Sequence, residues 1–212
     1  MPSEQSNSDF PKKLNIGSGW DIKENFINLD ITDRWKADVI ADLNEPFPID
    51  GSQVFKTDRF GEIEIKDETF SYITAHDVLE HLRNLSMAMT SCLNILQAGG
   101  LMDILVPYDL SHGAWQDPTH VRAFNENSWI YFTSWFWYHG WEKYRFNLER
   151  REFTLTEYGG SLQKNGHDLE SILRVPRAVD HMKVILQKVR ISDKDRKQRD
   201  DFFQSVRSGN TT

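Results

Sequence analysis

The chain of 212 residues has one cysteine, Cys92, so it can form no intramolecular disulfide, and cysteine-built zinc sites are excluded. It has no apolar run approaching ~18 residues, which excludes a membrane-spanning helix. Its first residues, MPSEQSNSDF, lack the basic and apolar regions of a signal peptide. Positive charge is short: 25 Lys and Arg face 32 Asp and Glu, for a net charge of −7. With no continuous basic stripe, this balance argues against a nucleic-acid partner. No internal repeat is present. These absences lead us to expect a soluble, cytoplasmic protein of one ordinary domain, long enough to hold a core without disulfide or metal staples. What the sequence has in surplus is aromatic side chains: 13 Phe, 7 Trp and 6 Tyr, with a dense run between Phe124 and Trp141.

Residues 1–11 offer little to bury and read as a disordered lead-in. Short apolar runs follow at 12–16, 26–31, 37–43, 70–75 and 101–106, each ended by glycine, proline or acid, as strands are. Residues 51–67 are charged and weakly patterned, an inserted loop or hairpin. From Val78 to Leu96 the apolar residues recur at intervals of three and four, which predicts one helix, stopped by Gly99 and Gly100. Residues 125–138 read as an aromatic helix. The segments 146–158 and 182–191 read as strands that can form an antiparallel hairpin at a sheet edge. Residues 192–212 read as a charged tail, helix fragment or loose end. Together these elements predict an α/β fold with a mostly parallel sheet.

Gly17-Ser18-Gly19 ends the first strand. Glycine lets the backbone turn sharply and approach a ligand closely there, at the strand's carboxyl end, where open α/β sheets bind theirs. Asp30 ends the next strand, where a carboxylate can accept both hydroxyls of a ribose, and Asp42 ends the third. The spacing differs from a dinucleotide fingerprint: Asp30 follows Gly17 too soon, and Ile22 stands in place of a third glycine. A plain turn and ordinary strand-end carboxylates are the alternative reading of these residues.

The ordered segments LNIGSG, FINLDI, ADVIADLNEPFPI, YITAHDVLEHL and LNILQAGGLMDILVP make residues 12–107 resemble the class I S-adenosylmethionine-dependent methyltransferases, in particular their small bacterial type 11 branch. The resemblance implies a Rossmann-like, doubly wound, mostly parallel sheet with an antiparallel C-terminal edge hairpin. It implies S-adenosyl-L-methionine as cofactor. Gly17, Ser18 and Gly19 would pass under the methionine part, Asp30 would hold the ribose, and Asp42 and Leu43 would meet the adenine. Ala75, His76 and Asp77 would line the cofactor near the transferred methyl. Two positions depart from the pattern: Asn15 replaces the usual acid and Asp21 the usual final glycine. Asn15 keeps hydrogen-bonding capacity but loses the charge that would pair with the cofactor's amino group, which Asp21 can supply instead. On this reading residues 12–191 are one domain, with a cofactor half over 12–107 and an acceptor half over 108–191.

His76, Asp77, Glu80 and His81 cluster at the start of the predicted helix. A metal site is one reading, but spacing offers no third ligand, so packing and capping are preferred and no metal is expected. The segment PYDLSHGAWQDPTHVRAF, residues 107–124, should hang over the open face of the cofactor. His112 or His120, oriented by Asp117, is the candidate general base for the acceptor's proton; a rigid turn is the alternative. On the aromatic run, Trp129, Phe132 and Phe136 share one side and Tyr131, Trp135 and Tyr138 another. That segment reads as core, as an acceptor pocket or as a homodimer interface. The expected activity is methyl transfer to a small-molecule or glycan-like acceptor. A non-catalytic cofactor-binding or assembly subunit is the alternative, and a metal-dependent hydrolase is a further one.

Overall fold

The structure is a computed structural model that describes residues 10–209. The predicted lead-in over residues 1–9 lies outside the described residues, while Phe10 is buried in the core. Nine strands run in chain order: β1 Lys13–Ile16, β2 Ile27–Asp30, β3 Val39–Ile40, β4 Ser52–Thr57, β5 Gly61–Lys66, β6 Phe70–His76, β7 Leu96–Pro107, β8 Tyr144–Leu155 and β9 Val179–Arg190. The α-helices are α1 Leu85–Ile95, α2 Gly113–Gln116, α3 Glu157–Lys164, α4 Leu169–Leu173 and α5 Asp193–Arg207. Seven strands form one sheet in the order β3-β2-β1-β6-β7-β9-β8, and β4 and β5 pair as a separate hairpin, which settles the 51–67 insertion.

Strands β3, β2, β1, β6 and β7 are parallel. Strand β9 runs against β7, and β8 against β9, so the C-terminal pair forms the predicted antiparallel edge. The chain builds outward from β1 in one direction through β2 and β3, then returns to β6 on the other side. This reversal between β1 and β6 is the switch point of a doubly wound sheet, where a crevice opens at the carboxyl ends of the strands.

The two faces of the sheet differ because alternate residues of a strand point to opposite sides. Leu14, Ile73, Met102 and Val184 belong to one buried core cluster that also holds Met89 and Leu93 of α1 and Ile63 and Ile65 of the hairpin. Several of the alternate positions are polar. Asn15 takes the Thr74 hydroxyl at 2.8 Å and donates to Asn28 at 3.1 Å, and Tyr72 donates to Asp103 at 2.8 Å. Lys183 lies 3.0 Å from the same carboxylate. No helix occupies the β1–β2 or β2–β3 connection, so helical cover is uneven between the faces.

The predicted 78–96 helix is shorter than its periodicity. A 3₁₀ turn spans Leu79–His81, Leu82 is extended, and α1 starts only after Asn84, whose side chain accepts from the Met87 N–H as N-cap. The carbonyls of Leu82 and Arg83, which a longer helix would use internally, accept from Arg122 at 2.6 and 3.0 Å. At the other end, Leu96 already pairs with Phe70, and the glycines sit inside the irregular start of β7. Buried Lys188 donates to the Leu96 carbonyl at 2.7 Å and so satisfies a group the helix end exposes.

The aromatic run is not an α-helix. It is a series of turns with short 3₁₀ pieces at Ile130–Phe132 and Phe136–His139. Thr133 leaves helical dihedrals at φ −113° and ψ −89°. Trp129, Phe132 and Phe136 are buried, while Trp135 and Trp137 meet Phe202 of α5 at 5.9 and 5.6 Å between ring centroids. Rings that must be covered in several directions are served better by turns than by one straight helix. The segment expected as a charged tail is therefore largely an amphipathic helix, opened by a capping box between Ser192 and Asp195. Trp135 and Trp137 of the run thus pack on a helix of their own chain. Among the described residues, no helix is long and apolar enough to cross a membrane.

Candidate functional site

A cleft of about 370 Å³ opens at the switch point. Gly17, Asp30, Asp42, Leu43 and Asp77 line it, together with Val78, His81 and Leu82. The strand order places them: Gly17 follows β1, Asp30 ends β2, Asp42 follows β3 and Asp77 follows β6.

Gly17 is required on two counts. Its φ is +60°, and a Cβ there would lie 2.3 Å from a Val78 methyl. Any side chain would therefore push into the cleft wall. Asp30 accepts from the Gly19 N–H at 2.8 Å through Oδ2 and from the Thr32 N–H at 3.0 Å through Oδ1. Each oxygen keeps a further lone pair, so the carboxylate that rigidifies the glycine turn can also accept a ribose hydroxyl. Asp42 forms a turn of its own by accepting from the Asn44 N–H at 2.9 Å. The apolar wall of Ile16, Leu29, Ala41 and Leu43 beside these carboxylates suits a flat base carrying a diol. These acceptors and the apolar wall thus fit the adenosyl part of S-adenosylmethionine.

Other expected residues are placed elsewhere. Asn15 is buried and saturated: it donates to the Asp21 carbonyl and to Asn28, and accepts from Lys23 Nζ at 2.8 Å and from Thr74. The Asp21 carboxylate is exposed and pairs with Lys23 at 2.8 Å. Ala75 is buried in the core. His76 turns to the polar face of the sheet, 3.3 Å from Asp103. Ser18 is buried with its hydroxyl unpartnered among the described residues. Gly19, at φ +47°, has open space where a Cβ would stand.

The 107–124 loop packs against residues 80–83, of which His81 and Leu82 line the cleft, and itself contributes no lining residue. The Val121 N–H donates to the Glu80 carbonyl at 2.9 Å. His120 Nδ1 lies 2.9 Å from the Ala114 carbonyl oxygen, which can only accept, so Nδ1 carries the proton and donates it. The Asp117 carboxylate hydrogen-bonds to neither imidazole of its loop, although the Asp117 carbonyl accepts from the His120 N–H at 3.2 Å. It accepts from the Thr119 N–H at 2.8 Å and hydroxyl at 2.7 Å, and that hydroxyl lies 2.9 Å from His81 Nδ1. Asp117 therefore acts on His81 through Thr119. His112 is exposed and stands just before α2. None of the aromatic residues between 129 and 141 lines the cleft; on the loop itself Tyr108 and Phe124 are buried and Trp115 is exposed.

Two further residues join the site. Glu80 is 1% exposed, and neither carboxylate oxygen meets a hydrogen-bond partner from another described residue. Burial pushes its pKa up to about 7, although its own amide works the other way. His181 stands opposite Pro107 in the β7–β9 ladder, 3.4 Å from Asp77 and 3.1 Å from Asp180. Sequence reasoning passes over His181, because only the pairing of β9 with β7 brings it to the rim. Its signal was faint: a polar residue alternating with the buried Met182 and Val184.

No protein-family model matches the sequence, and no curated protein matches it. Solved structures do match in shape. A SAM-dependent methyltransferase from Archaeoglobus fulgidus aligns with a TM-score of 0.51 and 15% identity, over 86% of this chain and 88% of that one. A SAM-dependent methyltransferase from Methanosarcina mazei aligns with a TM-score of 0.51 and 10% identity, over 84% and 92%. The 4+2 cyclase SpnF aligns with a TM-score of 0.52 and 12% identity, over 84% and 74%. The fold is thus the Rossmann-like α/β arrangement of these proteins.

Proposed function

We propose that the protein is an S-adenosylmethionine-dependent methyltransferase acting on a small-molecule or glycan-like acceptor. The observation that carries this reading is the cleft at the β1–β6 switch point, where Gly17, Asp30, Asp42 and Asp77 converge beside an apolar wall. When bound, the cofactor supplies an electrophilic methyl group on a sulfonium centre. The chain's part is to bind, orient and take a proton. Asp30 and the Gly17 turn hold the nucleoside. The 107–124 loop packs beside the rim, and its exposed Trp115 and Leu110 offer an apolar platform of the kind on which a sugar or ring can rest. A hydroxyl or amine acceptor must lose a proton, and His112 and His120 on this loop are the candidates to take it.

Incubating the protein with S-adenosylmethionine and a small-molecule extract, then searching by mass spectrometry for products heavier by one CH₂, tests the reading. The expected result is a methylated product that His112→Asn or His120→Asn strongly reduces at saturating cofactor. Unchanged turnover in both variants would remove the base assignment.

The buried network around Asn15 and the Asp21–Lys23 pair favour a second reading. The two groups expected to meet the cofactor's amino end are engaged with the protein, which suits a subunit that binds the nucleoside without turnover. Binding of the cofactor with no methylated product would select it.

A further inference from the structure

Glu80, His81 and His120 come together across a gap in sequence. One ligating atom of each lies within 4.8 Å of the other two. The two imidazole rings meet edge to face, with centroids 4.6 Å apart. Spacing along the chain offers two of these groups side by side, and the 107–124 loop delivers the third by hanging its Thr119–Val121 segment on the turn at 79–81.

The hydrogen bonds around the histidines select one tautomer for each. Asp117 takes the Thr119 hydroxyl proton, so the Thr119 oxygen accepts from His81 Nδ1. The Ala114 carbonyl accepts from His120 Nδ1. Both rings are left with a bare Nε2, the lone pair a metal takes. An outer partner on the other nitrogen is the arrangement that orients metal-binding histidines.

Glu80 supplies the independent sign of a ligand. A carboxylate 1% exposed normally finds hydrogen-bond donors, because an unpaired buried polar group is costly. Here both oxygens lack a partner from other described residues, and one of them faces the two imidazoles. A dication among them would neutralise the carboxylate and complete its coordination.

We propose that Glu80, His81 and His120 bind one divalent transition-metal ion of the zinc class at the rim of the cleft. Two imidazole nitrogens and one carboxylate oxygen form the mixed N/O donor set that zinc takes in sites keeping a fourth position open. His81 lines the cleft as well, so the ion stands beside whatever the cleft holds. Polarisation of an acceptor hydroxyl by the ion would rest on the methyl-transfer reading; binding of the ion does not. With His120 a ligand, His112 is the loop histidine left for proton transfer.

The test uses the full chain, stripped with a chelator and titrated with Zn²⁺ by calorimetry and with Co²⁺ by visible absorption, without cofactor. The expected result is one ion per chain, with cobalt bands of a low-coordinate site. Glu80→Gln and His120→Gln, shown folded by circular dichroism, should weaken binding at least ~10-fold. Thr119→Val keeps every ligand and should weaken it by ~10–100-fold through loss of the His81 orienting partner. His167→Asn, on the exposed surface, should leave it unchanged. No saturable binding by the wild type at millimolar zinc would overturn the proposal, as would wild-type affinity in folded Glu80 and His120 variants. Should those two variants not fold, wild-type affinity in Thr119→Val would count against the site. S-adenosylhomocysteine binding, measured separately, reports on the cofactor reading alone.

Discussion

At Gly17 one hydrogen in place of a side chain keeps the cleft open. Gly17→Val would add a branched side chain at φ +60° and drive it against Val78. We expect nucleoside binding to weaken roughly tenfold or more, with fluorescence-monitored unfolding shifting by only about 1–3 kcal/mol. His181 makes a second residue-scale statement. The hydrogen bond to Asp77 raises its pKa above the ordinary histidine value, and Asp180 adds to this against the cost of burial. A raised folded-state pKa gives stability that is complete below about pH 6.5, the unfolded value, and is lost as pH rises through the folded one. The difference in urea midpoint between wild type and His181→Asn should therefore be largest near pH 5.5 and shrink by pH 8.5. A gap that widened with pH would contradict the pairing.

At the scale of elements, α5 is the piece the sequence undersold. Its polar surface and low apolar content read as a tail, because the two residues that dock it, Phe202 and Phe203, pack on Trp137 of a distant aromatic run. Phe202→Ala should cost about 2 kcal/mol and Ser192→Ala about 1 kcal/mol in denaturant unfolding. Wild-type stability in both would mean that the helix contributes nothing to the fold. The aromatic run itself shows why period alone misleads. Its two expected sides are real, since Trp129, Phe132 and Phe136 are buried while Tyr131 and Tyr138 contact each other near the surface. Yet the backbone between them turns at Thr133. Periodicity likewise overran α1, because Val78 and Leu82 carry helical spacing while Arg122, forty residues on, takes the carbonyls a helix would need. Strand-ending residues were more legible. Gly17, Asp30 and Asp42 are local signals at positions the parallel order brings together, whereas Asn15 and His76 depended on which face of the strand they occupy.

The polar face of the sheet links elements to the whole. Burial alone would raise the pKa of Asp103, but hydrogen bonds from Tyr72, Lys183 and His76 outweigh it and lower it. A lowered folded-state pKa stabilises above the unfolded value and is lost as pH falls through the folded one. Asp103→Asn should cost about 2 kcal/mol at neutral pH, and the difference should shrink under acid; urea titrations at neutral and low pH measure it.

For the molecule as a whole, the central claim is that the β1–β6 crevice holds an adenosyl group, with Asp30 on its ribose. Calorimetric titration of the full chain with S-adenosylhomocysteine tests it most directly, run in parallel on Asp30→Ala with folding checked by circular dichroism. One saturable site per chain is expected, with a dissociation constant on the order of 10 μM, weakened at least ~10-fold in the variant. No saturable heat from the wild type at millimolar ligand, or equal affinity in a folded Asp30→Ala, would contradict it.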